Sequence, residues 1–263
     1  NTLTSFFPLF QNFEHKKRMK PIIFIPGIEA TALVDSNSFN FEMKWNAFDT
    51  TLGSLQSQIF GLHFSEKLQK NPLFDENINS IIERNHIARL PYEKTIHNIS
   101  QKYPNSPIYL FGYDWRFSNQ QNGKRLVKYI EYLKEKLTDQ KPLKFQFVTH
   151  SMGALVFSCY LKELNGNYSD IDKVVICAPP FKVSPYALIN MVKGDGWAKS
   201  FLNKIFGQND DIRKVVRTFP SIFELLPWYT NSIVFEDGEN VDLTKIDNWQ
   251  TNVYDDNKPL FEA

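Results

Sequence analysis

The chain has 263 residues, 42% of them hydrophobic and 15% aromatic, enough to bury one large core with room for an appended cap or lid. Thirty basic side chains stand against 29 acidic ones with no long run of either sign, which argues against nucleic-acid binding and against strong attraction to anionic lipid. No apolar run reaches the roughly 18 residues that a membrane-spanning helix needs.

In chain order, the first predicted strand is "PIIFIPG" at 21–27, an apolar run closed by Pro and Gly. From Asp35 to Leu90 the pattern is irregular, with Phe39, Phe41, Trp45, Phe48, Leu52, Ile59 and Phe60 scattered among polar residues. We read it as an insertion or subdomain outside the sheet. The first four aromatics form either a local packing cluster or a patch that docks on lipid, with Trp45 as its tentative contact. "PYEKTIHNISQKY" then predicts a short helix after Pro91 carrying Ile96 and Ile99, and "PIYLFGY" at 107–113 a second strand.

"GKRLVKYIEYLKEKLTDQ" places Leu126, Ile130, Leu133 and Leu137 on one face and charge on the other, an amphipathic helix. A third strand, "KFQFVTH" at 144–150, leads into "SMGALVFSCYLKELNGN". That segment is apolar nearly all round and then stopped at Asn165-Gly166-Asn167, as a buried helix with a glycine cap would be. "KVVICAP" at 173–179 reads as a fourth buried strand. Strands alternating with helices imply an α/β fold, a parallel sheet covered on both sides with right-handed crossovers. After Pro180 two helix-rich segments predict a cap over the carboxyl edge of the sheet, and Asn240–Ala263 has no clear element. This divides the chain into a core at 1–181, with its insertion at about 35–90, and a cap and tail at 182–263.

The two cysteines, Cys159 and Cys177, sit among apolar neighbours and are expected to be buried free thiols. Without a disulfide framework, a reducing compartment such as the cytoplasm, or a bacterial protein, is favoured, while two cysteines are too few to exclude export. The first residue is Asn1 rather than Met, so a processed or trimmed start is open, and any leader would already be lost.

"FVTHSMGAL" holds the residue that bears most on function, Ser151, at the junction of the third strand and the following helix. In an open parallel sheet, active residues gather at the carboxyl ends of the strands. A serine in such an elbow is exposed on a strained turn, and small neighbours let helix and strand pack closely. Gly153 is one such neighbour, while Thr149 replaces the glycine usual two positions before the serine. At the helix start the backbone N–H of Met152 faces the space where an oxyanion would form. In "PGIEA", Gly27 allows the chain to turn and Ile28 offers a second N–H. The plainer reading makes Ser151 a helix cap and Gly27 the end of a strand. His150 adjoins the serine but should point the other way along an extended chain, into the fold, which suits a structural role beneath the elbow better than that of a base.

Taken together, "FIPGIEATAL", "FGYDWRFS", "FVTHSMGAL", "CAPPFKVSPYAL" and "RTFPSIFELLP" resemble the lecithin:cholesterol acyltransferase family, in that family's order and over most of 21–227. The resemblance implies an α/β-hydrolase fold, Ser151 as nucleophile, and the backbones of Ile28 and Met152 as oxyanion donors. Asp114, Trp115 and Arg116 match a motif read here as structural, a buried charged pair with the indole beside it; substrate contact is the alternative. The departure from the family lies downstream. The triad of an α/β hydrolase runs serine, acid, histidine, yet no histidine follows Ser151, and none of Asp195, Asp210, Asp211, Asp237, Asp242, Asp247, Asp255 and Asp256 follows a late sheet strand. The acid and base are therefore expected from a further C-terminal segment carrying the last sheet strands, or from a second chain; loss of the base is the competing explanation.

The resemblance implies acyl transfer from an ester lipid through an acyl-enzyme, of phospholipase A or acyltransferase type; no cofactor is expected, and no metal, because no His/Cys/Asp cluster in the sequence has ligand spacing. Two alternatives stand beside it: a catalytically incomplete lipid-binding or scaffold protein on the same fold, and a small-molecule carboxylesterase.

Overall fold

The structure is a computed structural model that describes residues 20–31, 33–35, 42–45, 89–137, 143–182, 184–194, 213, 216–229, 232–234 and 236–249. Its elements are β1 (Ile22–Ile25), β2 (Leu33–Asp35), β3 (Glu42–Trp45), α1 (Arg89–Lys102), β4 (Ile108–Leu110), α2 (Asn119–Lys136), β5 (Phe145–His150), α3 (Gly153–Glu163), β6 (Ile171–Cys177), α4 (Pro185–Lys193) and α5 (Pro220–Phe223). β4, β1, β5 and β6 form a parallel sheet in that order, and β2 and β3 pair separately as an antiparallel ribbon. Ile23 lies opposite both Phe147 and Tyr109, so β1 is an inner strand held between β4 and β5.

Alternation along the strands builds two cores. Ile23, Ile25, Phe145 and Phe147 face α2 and α3, joining Leu126, Ile130, Leu133, Val156, Phe157 and Tyr160 in the larger one. Phe147 and Phe157 meet at 4.8 Å between ring centres. Phe24, on the opposite face, packs with Tyr92 and Ala30 under α1 in a smaller cluster. α2 and α3 cross closely at Gly123, where a methyl group would stand 2.7 Å from Cys159 Cβ. The α2 start is capped by Ser118, whose hydroxyl accepts from the Gln121 N–H, and α3 ends where Asn165 and Gly166 turn left-handed at φ 48° and 85°.

Three expectations need correction. α1 begins at Arg89, two residues before Pro91, because a proline in the first turn removes only an N–H that has no helical partner there. β6 is not a buried strand: Val174, Val175 and Ile176 are 36%, 52% and 42% exposed. Among the described residues it hydrogen-bonds β5 on one side and no strand on the other, so an apolar sequence that reads as central stands in the open. For the same reason Cys177 is exposed, and Cys159 is only half-buried, although both thiols are free as expected.

Beyond Pro180, Ala187 and Met191 of α4 and Phe219, Ile222 and Phe223 around α5 join the larger core. The α5 segment is tied to the start of α2: Glu224 Oε2 accepts from the backbone N–H and the side-chain amide of Asn119 at 2.7 and 2.6 Å. A carboxylate at a helix N-terminus also suits the dipole. Trp249 Nε1 donates to the Leu243 carbonyl at 2.7 Å, giving part of the tail a fixed place against the core.

Candidate active site

β5 brings the chain to His150, and Ser151 then turns it at φ 51° into the left-handed region that few non-glycine residues adopt. The turn is fixed from both sides. The Ser151 N–H donates to the Cys177 carbonyl at 3.0 Å, and its carbonyl accepts from Ala154 N–H at 3.0 Å. The residue is partly exposed, and its hydroxyl has no hydrogen-bond partner among the described residues. Thr149 occupies the position of the missing glycine fully buried, so the site holds a small side chain there.

Two glycines make this turn possible. At Gly153 a methyl group would lie 2.5 Å from the Pro26 carbonyl oxygen and 2.6 Å from that of Ile25, so α3 rests directly on the end of β1. At Gly27 it would stand 3.0 Å from Ser151 Cβ and 3.3 Å from both His150 Nδ1 and the Tyr92 hydroxyl. The loop after β1 thus lies against the serine. Ile28 follows within that contact, and neither its N–H nor that of Met152 has an acceptor among the described residues. The Met152 side chain is fully buried, which leaves its backbone as the group available to the site. Next to Ile28, Glu29 stands at φ 64°, and burial of its carboxyl pushes the pKa well above the usual carboxylate range.

The His150 ring lies against α1 and the Gly27 turn. Its Nδ1 lies 2.6 Å from the Tyr92 hydroxyl, whose oxygen accepts from the Gly27 N–H at 3.0 Å. Burial lowers the imidazole pKa below its ordinary value, which favours the neutral ring. Tyr92 was missed in the sequence: its position before Ile96 in an amphipathic helix announces packing, and nothing local marks a hydroxyl that reaches across 58 and 65 residues.

Asp114 and Arg116 are each 1% exposed and form a bidentate pair, Arg116 Nε to Oδ1 at 3.0 Å and Nη2 to Oδ2 at 2.7 Å. The Arg116 backbone N–H also donates to Oδ1 at 3.0 Å. Trp115 donates from Nε1 to the Thr31 carbonyl at 3.0 Å and meets Phe219 edge-on. With Asn122 Nδ2 on the Asp114 carbonyl and Ser221 N–H on that of Arg116, the three residues join the β1 loop, α2 and α5.

The remaining candidates lie elsewhere. Trp45 is in β3, its side chain outside the described residues, as are Phe39, Phe41, Phe48, Leu52, Ile59 and Phe60 entirely. Of the downstream aspartates, Asp237, Asp242 and Asp247 are described; the first two bond locally to Glu239 and Thr244. The others lie outside the described residues.

The sequence profile of the lecithin:cholesterol acyltransferase family matches residues 82–258. No curated protein matches the sequence. Among solved structures, a chain of the Tle4–Tli4 complex is similar over 85% of this chain at 17% identity, with a TM-score of 0.51. The lipase BlEst2 of Bacillus licheniformis, in its mature form, is 16% identical over 82% of this chain with a TM-score of 0.41. This chain covers 60% and 58% of the lengths of those two. The fold is that of the α/β hydrolases.

Proposed function

Because the chain belongs to the lecithin:cholesterol acyltransferase family, we propose that it is a serine-dependent lipid acyl hydrolase or acyltransferase working through an acyl-enzyme on Ser151. The observation that carries this reading is the elbow: a strained serine whose hydroxyl, like the Ile28 N–H of the loop against it and the Met152 N–H beside it, has no partner among the described residues. Such amides are favourable where negative charge develops.

In the proposed reaction, Ser151 Oγ attacks the carbonyl carbon of an ester lipid while its proton passes to a general base. The carbonyl oxygen takes up the negative charge and is held by the Ile28 and Met152 N–H groups. Collapse breaks the bond to the alcohol part, which leaves with the proton returned by the base, and Ser151 keeps the acyl group as an ester. Water or a second alcohol then attacks that ester by the reverse sequence, releasing acid or a new ester. Each oxyanion donor is worth about a hundredfold or more in rate.

The base and its acid partner are proposed to come from polypeptide beyond residue 263 or from a second chain, extending the sheet past β6. The exposed apolar residues at Val174–Ile176 support this, since an apolar strand with a neighbour on only one side among the described residues invites another strand beside it. Without the base, the serine would retain only the modest catalysis that binding and the oxyanion donors provide.

Labelling with a fluorophosphonate probe tests the reading. The full-length protein is expected to be labelled and Ser151→Ala to remain blank; labelling that persists in Ser151→Ala assigns the nucleophile elsewhere. Faster turnover of a long-chain ester presented in vesicles than of a short soluble ester is expected from a lipid enzyme, and the opposite order from a carboxylesterase.

A further inference from the structure

We propose that Tyr92 is a positioning residue for acyl transfer, its hydroxyl tying the oxyanion loop at Gly27 to His150, the residue before the nucleophile. The proposal rests on the Ser151 reading above. Three elements meet at that one oxygen: α1 supplies the tyrosine, the turn after β1 supplies the Gly27 N–H at 3.0 Å, and the end of β5 supplies His150 Nδ1 at 2.6 Å. The ring meets Phe24 edge-on at 5.0 Å and His150 edge-on at 5.4 Å, and the residue is 7% exposed. The hydroxyl therefore has little freedom to leave its partners.

The direction of the bonds follows from satisfying a buried hydroxyl. The oxygen already accepts from Gly27, so the Tyr92 proton is best placed toward His150 Nδ1, which assigns the imidazole proton to Nε2. Were Nδ1 the donor, the tyrosine proton would be left without an acceptor in a buried place. The link matters for Ile28 because its N–H belongs to the peptide plane immediately after Gly27. Glycine is the residue whose φ and ψ least restrain the plane that follows. Holding the Gly27 N–H fixes the near side of that joint, and contact with Ser151 limits the far side. Ile28 can then present its N–H without reorganising when the oxyanion forms.

A tyrosine kept only for packing would be replaced by phenylalanine at little cost to the site, so Tyr92→Phe separates the two roles. In the full-length protein, kcat on an ester substrate is expected to fall about tenfold with KM within about twofold of the parent, because a loosened donor weakens the transition state more than the ground state. In the same variant the Gly27 amide should exchange with solvent faster, and the ¹⁵N shifts of His150 should move from the Nε2–H form toward a mixture of tautomers. A kcat within about twofold of the parent overturns the proposal, and so does a loss of kcat with Gly27 exchange and the His150 tautomer unchanged. The Ser151 reading fails separately, if Ser151→Ala turns over the ester as fast as the parent. That result removes the catalytic role of Tyr92 too, whereas the exchange and tautomer measurements report on the loop without any chemistry.

Discussion

Arg116→Met is expected to lower the unfolding free energy by about 3–5 kcal/mol, the cost typical of removing one partner of a buried ion pair. The substitution preserves much of the volume but leaves the Asp114 carboxylate inside the protein without its two guanidinium bonds. The carboxylate keeps the Arg116 backbone N–H at 3.0 Å, which is too little to compensate for lost hydration. Asp114→Leu combined with Arg116→Met should recover much of the loss, because replacing both charges is far less costly than orphaning one. Urea unfolding of the two single variants and the pair gives the cycle; a single-variant loss below about 1 kcal/mol would place this pair with ordinary surface bridges. The sequence favoured a structural reading of this motif over substrate contact. The bonds from Trp115, Asn122 and Ser221 give that reading its physical content, since they fasten three segments to one short turn.

Gly153→Ala should harm both stability and the site. The added methyl would meet two backbone carbonyl oxygens at 2.5 and 2.6 Å, and neither can swing aside as a side chain could. α3 must lift from β1, at a cost of about 3 kcal/mol, the upper part of the usual range for overpacking. The lift also carries Met152 and Ser151 away from Gly27 and Ile28. A displacement of about 1 Å in a reacting group costs on the order of a hundredfold in rate. Urea unfolding and the rate of fluorophosphonate labelling, measured on the same preparation, should therefore fall together. A variant of parental stability and labelling rate would mean that helix and strand are further apart than the structure has them.

The parts of the fold carried by local pattern were readable from the sequence. "GKRLVKYIEYLKEKL" shows its buried face through Leu126, Ile130 and Leu133, and "KFQFVTH" gives a strand whose alternate residues Phe145, Phe147 and Thr149 are fully buried. Gly153 was readable as a close-packing residue because the elbow needs one there. What failed was the surroundings of β6. "KVVIC" has the composition of a central strand, and periodicity records how a strand is built but not whether a neighbour lies beside it. The burial predicted for Cys177 failed with it. Tyr92 failed for another reason: its significance depends on Gly27 and His150, which the chain brings together from far apart, and a hydroxyl's partners leave no trace in helical spacing.

Cys177 is exposed at the end of β6, and its carbonyl accepts the Ser151 N–H at the elbow. Cys159 is half-buried, and desolvation raises its thiol pKa, so it is both less accessible and disfavoured as the thiolate. Iodoacetamide should accordingly alkylate Cys177 first, as peptide mapping of a partial reaction would show. A polypeptide that pairs with β6 would shield that residue, and the alkylation rate then becomes a gauge of whether the proposed neighbouring strand has docked there.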